Sequence, residues 1–122
     1  MGRYHAPKAL RSAGAIVHVH DDLFPQYTKD VDWIDPVAKN GWVILTRDES
    51  LAKNLDERER IRHSKARVFV LITKNISGQE RATAFVLALP AMTHFLRTKR
   101  GPFIAKVYKD GSVIGWKWEH DL

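Results

Sequence analysis

Three aspartates stand where the chain changes character. In GWVILTRDES, Gly41 to Ser50, an apolar run from Trp42 to Thr46 turns abruptly into Arg47, Asp48 and Glu49. Asp30 precedes Trp33, Ile34 and Val37 by three, four and seven residues, which puts it on the apolar face of a helix, at its start. Asp22 closes HVHDD, His18 to Asp22. Carboxylates are hard oxygen donors, suited to Mg2+ or Mn2+. Brought together without a cation they repel, and their pKa values rise. A bound divalent ion removes that conflict and activates water for attack on a phosphodiester. Each acid also has a structural explanation. Taken alone Asp48 is better explained as the cap of a helix opening near Leu51, Asp30 equally well as the cap of its own helix, and Asp21-Asp22 as loop formers. His18 and His20, two apart, share one face of a strand and offer a different metal set. That motif lacks a distinctive third ligand, and a partly buried His18 explains it as well.

These residues need elements to hold them. The pattern predicts a helix from about Ala6 to Ser12 stopped by Gly14, then a strand, AIVHV, from Ala15 to Val19. A polar and aromatic loop leads to a helix from about Asp30 to Asn40, stopped by Gly41, with Pro36 tolerable near its first turn. WVILT is a second strand, Ser50 to Arg62 a charged helix, and VFVLI, Val68 to Ile72, a strand covered on both faces. SGQE, Ser77 to Glu80, has capping-box spacing. It opens a helix whose apolar positions are Ala82, Phe85, Val86, Leu89, Met92 and Leu96, and which Pro90 is expected to bend or interrupt. FIAKVY, the turn Asp110-Gly111 and SVIGWKW form a C-terminal hairpin. Alternating strands and helices predict an α/β fold with a mostly parallel sheet. Such sheets bind ligands beyond the carboxyl ends of their strands. Asp48 leaves a strand there and Asp30 opens a helix at the same edge, so the two converge, with Asp22 at the end of the neighbouring strand. Asp32 and Asp35 point elsewhere, into solvent.

The chain has 122 residues, enough for one domain, and its 44% hydrophobic content excludes a disordered chain. It has no cysteine, so disulfides and thiolate metal sites are excluded. Neither a signal peptide nor an apolar run of membrane-spanning length is evident, and the expectation is a soluble cytoplasmic protein. The absence of a Walker glycine loop, a GxGxxG fingerprint, a GxSxG elbow and a serine triad pattern sets aside nucleotide-triphosphate, dinucleotide and serine-hydrolase chemistry. The net charge is +6. Asp21, Asp22, Asp30, Asp32 and Asp35 crowd one region, while Arg97, Lys99, Arg100, Lys106 and Lys109 form a block with no acid among them. An acidic site beside a basic surface suits a protein that holds a divalent cation and meets a polyanion. Solvated faces of an ordinary basic domain account for the same charges.

HDDLFPQYTKDVDWI, GWVILTRD, ARVFVLI and GPFIAKVYKDG together resemble the PIN-like domain family, relatives of VapC-type toxins, from Gly2 to about Gly111. The resemblance implies a three-layer α/β/α fold with a parallel sheet. It implies a Mg2+- or Mn2+-dependent ribonuclease, the toxin of a toxin–antitoxin pair, with RNA as substrate and an antitoxin as partner. Asp30 matches the acid that opens the helix before the tryptophan, and Asp48 the acid after the threonine-containing strand, with Asp22 as a third ligand. Arg97, Lys99 and Arg100 are then expected to neutralise the RNA backbone, with Arg47 and Arg58 nearer the metal. The family begins with a short apolar strand that carries an aspartate and lies centrally in the sheet. Here Met1 and Gly2 fall where that strand ends. The expectation is therefore a single PIN-like domain over 1–122, N-terminally shortened, with strand edges completed by a second copy in a homodimer. The alternative function is a catalytically inactive PIN-like module that binds RNA or a protein partner.

Overall fold

The computed structural model describes residues 10–11, 30–47, 49, 53–72 and 77–116. Leu10 and Arg11 are helical. The elements that follow are α1 (Asp30–Lys39), β1 (Ile44–Thr46), α2 (Leu55–Ser64), β2 (Arg67–Leu71), α3 (Gly78–Thr98), β3 (Phe103–Val107) and β4 (Val113–Gly115). The expected strand from Ala15 to Val19 lies outside the described residues.

The strands form one sheet in the order β1-β2-β3-β4. β1, β2 and β3 run parallel, with Ile44 opposite Val68 and Val68 opposite Ile104, and β4 returns antiparallel with Val113 opposite Val107. The four described strands are contiguous neighbours, so no gap opens among them. The sheet is covered on both faces, as the unbroken apolar run of β2 requires. Val68 and Val70 of β2 join Ile34 of α1 and Ile61 of α2 in one buried cluster. Phe69 and Leu71, pointing the other way, join Ala84, Phe85, Ala88 and Met92 of α3 in a second, to which Leu10 also belongs. This is the α/β/α sandwich, with α1 and α2 on one face and α3 on the other.

Local chemistry fixes where the elements begin and end. α1 stops at Gly41, whose φ of 74° is one that residues with a Cβ rarely adopt, and the N–H groups of Gly41 and Trp42 close on the carbonyls of Ala38 and Val37 at 2.9 and 3.2 Å. α2 is capped by Asn54, whose side chain accepts from the Glu57 N–H at 3.2 Å. α3 opens with a reciprocal capping box. The Ser77 hydroxyl accepts from the Glu80 N–H at 3.0 Å, and the Glu80 carboxylate accepts from the Ser77 N–H at 2.9 Å. The β3–β4 turn uses Gly111 at φ 90°, and the Asp110 carboxylate accepts from the N–H and hydroxyl of Ser112 at 2.9 and 2.7 Å.

Two expectations are corrected. Pro90 does not interrupt its helix, since α3 runs unbroken through it. Pro90 sits on the exposed face, while Phe85, Ala88 and Met92 stay buried on either side. Burying those residues outweighs one lost helical hydrogen bond. Asp35 is not simply solvated. Ser64 donates its hydroxyl to one carboxylate oxygen of Asp35, and Arg60 donates to the other at 3.0 Å, so α1 and α2 are joined across their outer sides.

That junction carries a pH dependence. The Ser64 hydrogen bond, and then the Arg60 guanidinium, hold the Asp35 carboxyl below its ordinary value of 3.8. A carboxyl whose folded pKa is depressed adds stability above its unfolded pKa and loses it as pH falls through the folded value. Asp35→Asn is therefore expected to lower the melting temperature at neutral pH, by the equivalent of about 0.2–1 kcal/mol for a half-exposed pair. The gap to the parent protein should close as the pH falls below about 4. A gap that is constant from neutral pH down to about 3 contradicts the assignment.

Candidate functional site: the carboxyl edge of the sheet

Because β1, β2 and β3 are parallel, their last residues, Thr46, Leu71 and Val107, lie along one edge. α1 reaches β1 through the tight reversal at Gly41, so it runs antiparallel to β1 and its first residue, Asp30, lies at that same edge. The apolar stripe of α1 is its inward face. Ile34 is fully buried, and Trp33, Val37 and Ala38 pack against its cluster. The backbone thus brings the start of α1 and the end of β1 to one rim. The side chain of Asp30 lies outside the described residues, as do Asp48, Asp22, Asp21, His18 and His20. Arg47, directly after β1, is exposed at this rim, and Arg58 lies in the first turns of α2, which starts here.

Three of the other acids near this edge, Glu80, Asp110 and Glu49, are engaged by neighbouring groups. Glu80 closes the α3 capping box, and its carboxylate lies 3.6 Å from the Lys109 ammonium. Its hydrogen bond from the Ser77 backbone N–H lowers its pKa first, and Lys109 acts in the same direction. Asp110 is held below its ordinary value by the N–H and hydroxyl of Ser112 in the hairpin turn. Glu49 is half-buried, with Lys53 at 3.7 Å. Among the described residues no three His, Cys, Asp or Glu side chains form a group fit to hold a metal ion. Carboxylate oxygens are the donors that Mg2+ and Mn2+ prefer, and Asp30, Asp48 and Asp22 are the acids that the sequence offers for such a site. The cap of α2 is Asn54.

The basic residues divide between two edges. Arg47 and Arg58 share the rim with the start of α1. Arg97, Lys99 and Arg100 do not. α3 begins beyond the end of β2 and runs back along the sheet, so its last residues lie at the opposite edge, where β2 and β3 start. The packing confirms this, because Gly101 lies against Arg67, the first residue of β2. At about 1.5 Å per residue the 21 residues of α3 place its two ends roughly 30 Å apart. Reading along the sequence missed this separation, and it missed the Asp35 junction. The direction of α3 was implied by the strand–helix–strand order that surrounds it. The pairing of Asp35 with Ser64 had no local signal.

No helix among the described residues is long and apolar enough to cross a membrane. Comparison with known proteins agrees with the geometry. A curated relative from Mycobacterium tuberculosis (strain ATCC 25618 / H37Rv), which carries the provisional name ribonuclease VapC45, is 27% identical over 112 residues, covering 88% of this chain and 80% of its own length. No solved structure matches the chain. The family model described as a PIN like domain matches residues 3–73, a span that includes Asp22, Asp30 and Asp48 together with α1, β1, α2 and β2. That span is more than half of the molecule, and the chain belongs to the PIN-like domain family.

Proposed function

We propose that this protein is a divalent-metal-dependent endoribonuclease and the toxin component of a toxin–antitoxin pair. The observation that carries the reading is the meeting of the α1 start and the β1 end at the carboxyl edge, within the span that matches the family. Asp30, Asp48 and Asp22 would hold Mg2+ or Mn2+ there. Bound at that rim, such an ion supplies Lewis-acid polarisation of a phosphodiester and a more acidic water. The rim's own cations, Arg47 and Arg58, would position the RNA backbone next to the acids. The relative's name supports RNA as the substrate class and a VapC-type role, with an antitoxin as protein partner. A second copy of the chain is a further partner to test.

The test is a Mn2+ titration followed calorimetrically, with cleavage of a single-stranded RNA measured in parallel. Binding of the ion at or below about millimolar concentration, with cleavage that EDTA abolishes, is the expected result. Absence of binding at millimolar Mn2+ overturns the catalytic reading and leaves the non-catalytic module.

A further inference from the structure

The opposite edge of the sheet, where the strands begin, collects cations from three layers of the fold. α1 ends with Lys39, α2 ends with Arg62 and His63 and is followed by Lys65, β2 opens with Arg67, and α3 ends with Arg97 before Lys99 and Arg100. Lys39, Lys65, Arg97, Lys99 and Arg100 are exposed. Glu59 lies 2.8 Å from Arg62 and 3.8 Å from His63 and balances those two, and Asp35 faces Arg60, but the other described carboxylates lie away from this edge. Asp32, Asp56, Glu57, Glu80 and Asp110 lie in first helical turns or in the hairpin turn at the carboxyl edge. Between Arg81 and Lys109 the chain contains no acid at all. Among the described residues Lys65, Arg97, Lys99 and Arg100 form no ion pair.

Helix dipoles explain only part of this. They favour cations within the last turn, which accounts for Lys39, Arg62, His63 and Arg97. Lys65, Lys99 and Arg100 lie beyond the helix ends and gain little from the dipole. Their mutual repulsion is a cost that a bound polyanion offsets. The cations stem from separate elements spread along the edge, which fits an extended chain of phosphates better than a single carboxylate. Arginine also presents a planar fork that matches phosphate oxygens. The acidic rim, for its part, repels phosphate wherever a metal does not neutralise it, so affinity for a polyanion has to come from elsewhere on the surface.

We propose that this basic edge is a second contact surface for RNA phosphates, remote from the carboxyl rim. The identity of the polyanion as RNA rests on the ribonuclease reading. The two ends of α3 lie roughly 30 Å apart, so an RNA held at the carboxyl rim has to extend well beyond it to reach the basic edge. The surface therefore selects long RNAs over short fragments.

The test compares the parent protein with the triple variant Arg97→Gln, Lys99→Gln, Arg100→Gln, all exposed positions, with a melting curve to verify folding. Affinity for RNAs of about 6 and about 40 nucleotides is measured by fluorescence anisotropy in EDTA across a salt series, and cleavage of both is then measured with Mn2+. The variant is expected to bind the long RNA about tenfold or more weakly, with the salt slope shallower by about two to three. The ratio of long to short RNA cleavage should fall about as far. Unchanged long-RNA affinity and slope overturn the proposal, even if both proteins cut RNA. A changed slope without cleavage by either protein upholds the surface and removes the ribonuclease reading instead. Equal weakening toward polyglutamate of matched charge, at equal parental affinity, overturns RNA as the occupant.

Discussion

Asp48→Asn is expected to reduce metal-dependent RNA cleavage by more than about 100-fold while the melting temperature without metal holds or rises. Loss of groups that only orient a metal's ligands costs about 10- to 100-fold, so loss of a ligand charge belongs above that range. The substitution keeps the shape of the side chain and removes its charge. If Asp48 stands with Asp30 and Asp22, relieving that repulsion costs the metal-free protein nothing. The same substitution separates the two explanations of Asp48. Asparagine caps a helix as well as aspartate does, so a capping role predicts unchanged cleavage. Asp32→Asn is the matched control, an exposed acid in the first turn of α1 and off its buried stripe. Equal cleavage by Asp48→Asn and the parent protein, with Mn2+ saturating, removes Asp48 from the site. A loss restored by a large excess of Mn2+ identifies weakened coordination.

Much of the architecture was legible because it rests on short-range chemistry. The unbroken apolar run of β2 indicated a strand with two covered faces, and Val68 and Phe69 do enter opposite clusters. Ser77 and Glu80, three apart, announced the start of α3, and Gly41 and Gly111 both take the positive φ that their turns require. The meeting of the α1 start with the β1 end was legible too, from the stripe of Ile34 and the strand–helix alternation. Other features depend on distance in space. Pro90 obeys the buried faces on both sides of it, not its own propensity. Asp35 finds Ser64 across 29 positions of sequence, which no local window contains. Arg97, Lys99 and Arg100 look like one basic block with Lys106 and Lys109. The strand between them carries the second pair toward the other edge, and Lys109 ends beside Glu80. A run of like charges in sequence is thus divided between the two poles, and the charge pattern alone could not say which pole faces the acids.

Phe69→Ala is expected to remove about 3–5 kcal/mol of stability, the largest single effect in the core. Phe69 is fully buried in β2, a central strand, and its ring stands edge-on to Phe95 of α3 and Phe103 of β3, with centroids 5.9 and 5.3 Å away. Phe95 and Phe103 meet at 4.8 Å, so the three rings form a closed triangle that ties α3 to the sheet. Truncation loses the transfer free energy of the ring, two edge-to-face contacts worth about 0.5–1.5 kcal/mol each, and the packing around the space left behind. The surrounding residues cannot readily collapse into it, because Val68 and Val70 on either side face the opposite layer and are fixed by Ile34 and Ile61. Against a total of about 5–15 kcal/mol for a domain of this kind, the loss is about a fifth of the stability or more. Phe69→Leu, which fills more of the space, should lose clearly less. Urea denaturation of the three proteins supplies the comparison. A loss below about 1 kcal/mol in Phe69→Ala is incompatible with α3 packing on β2 and β3 through these rings. The same packing fixes the direction of α3, and that direction keeps Arg97, Lys99 and Arg100 at the edge opposite the acids.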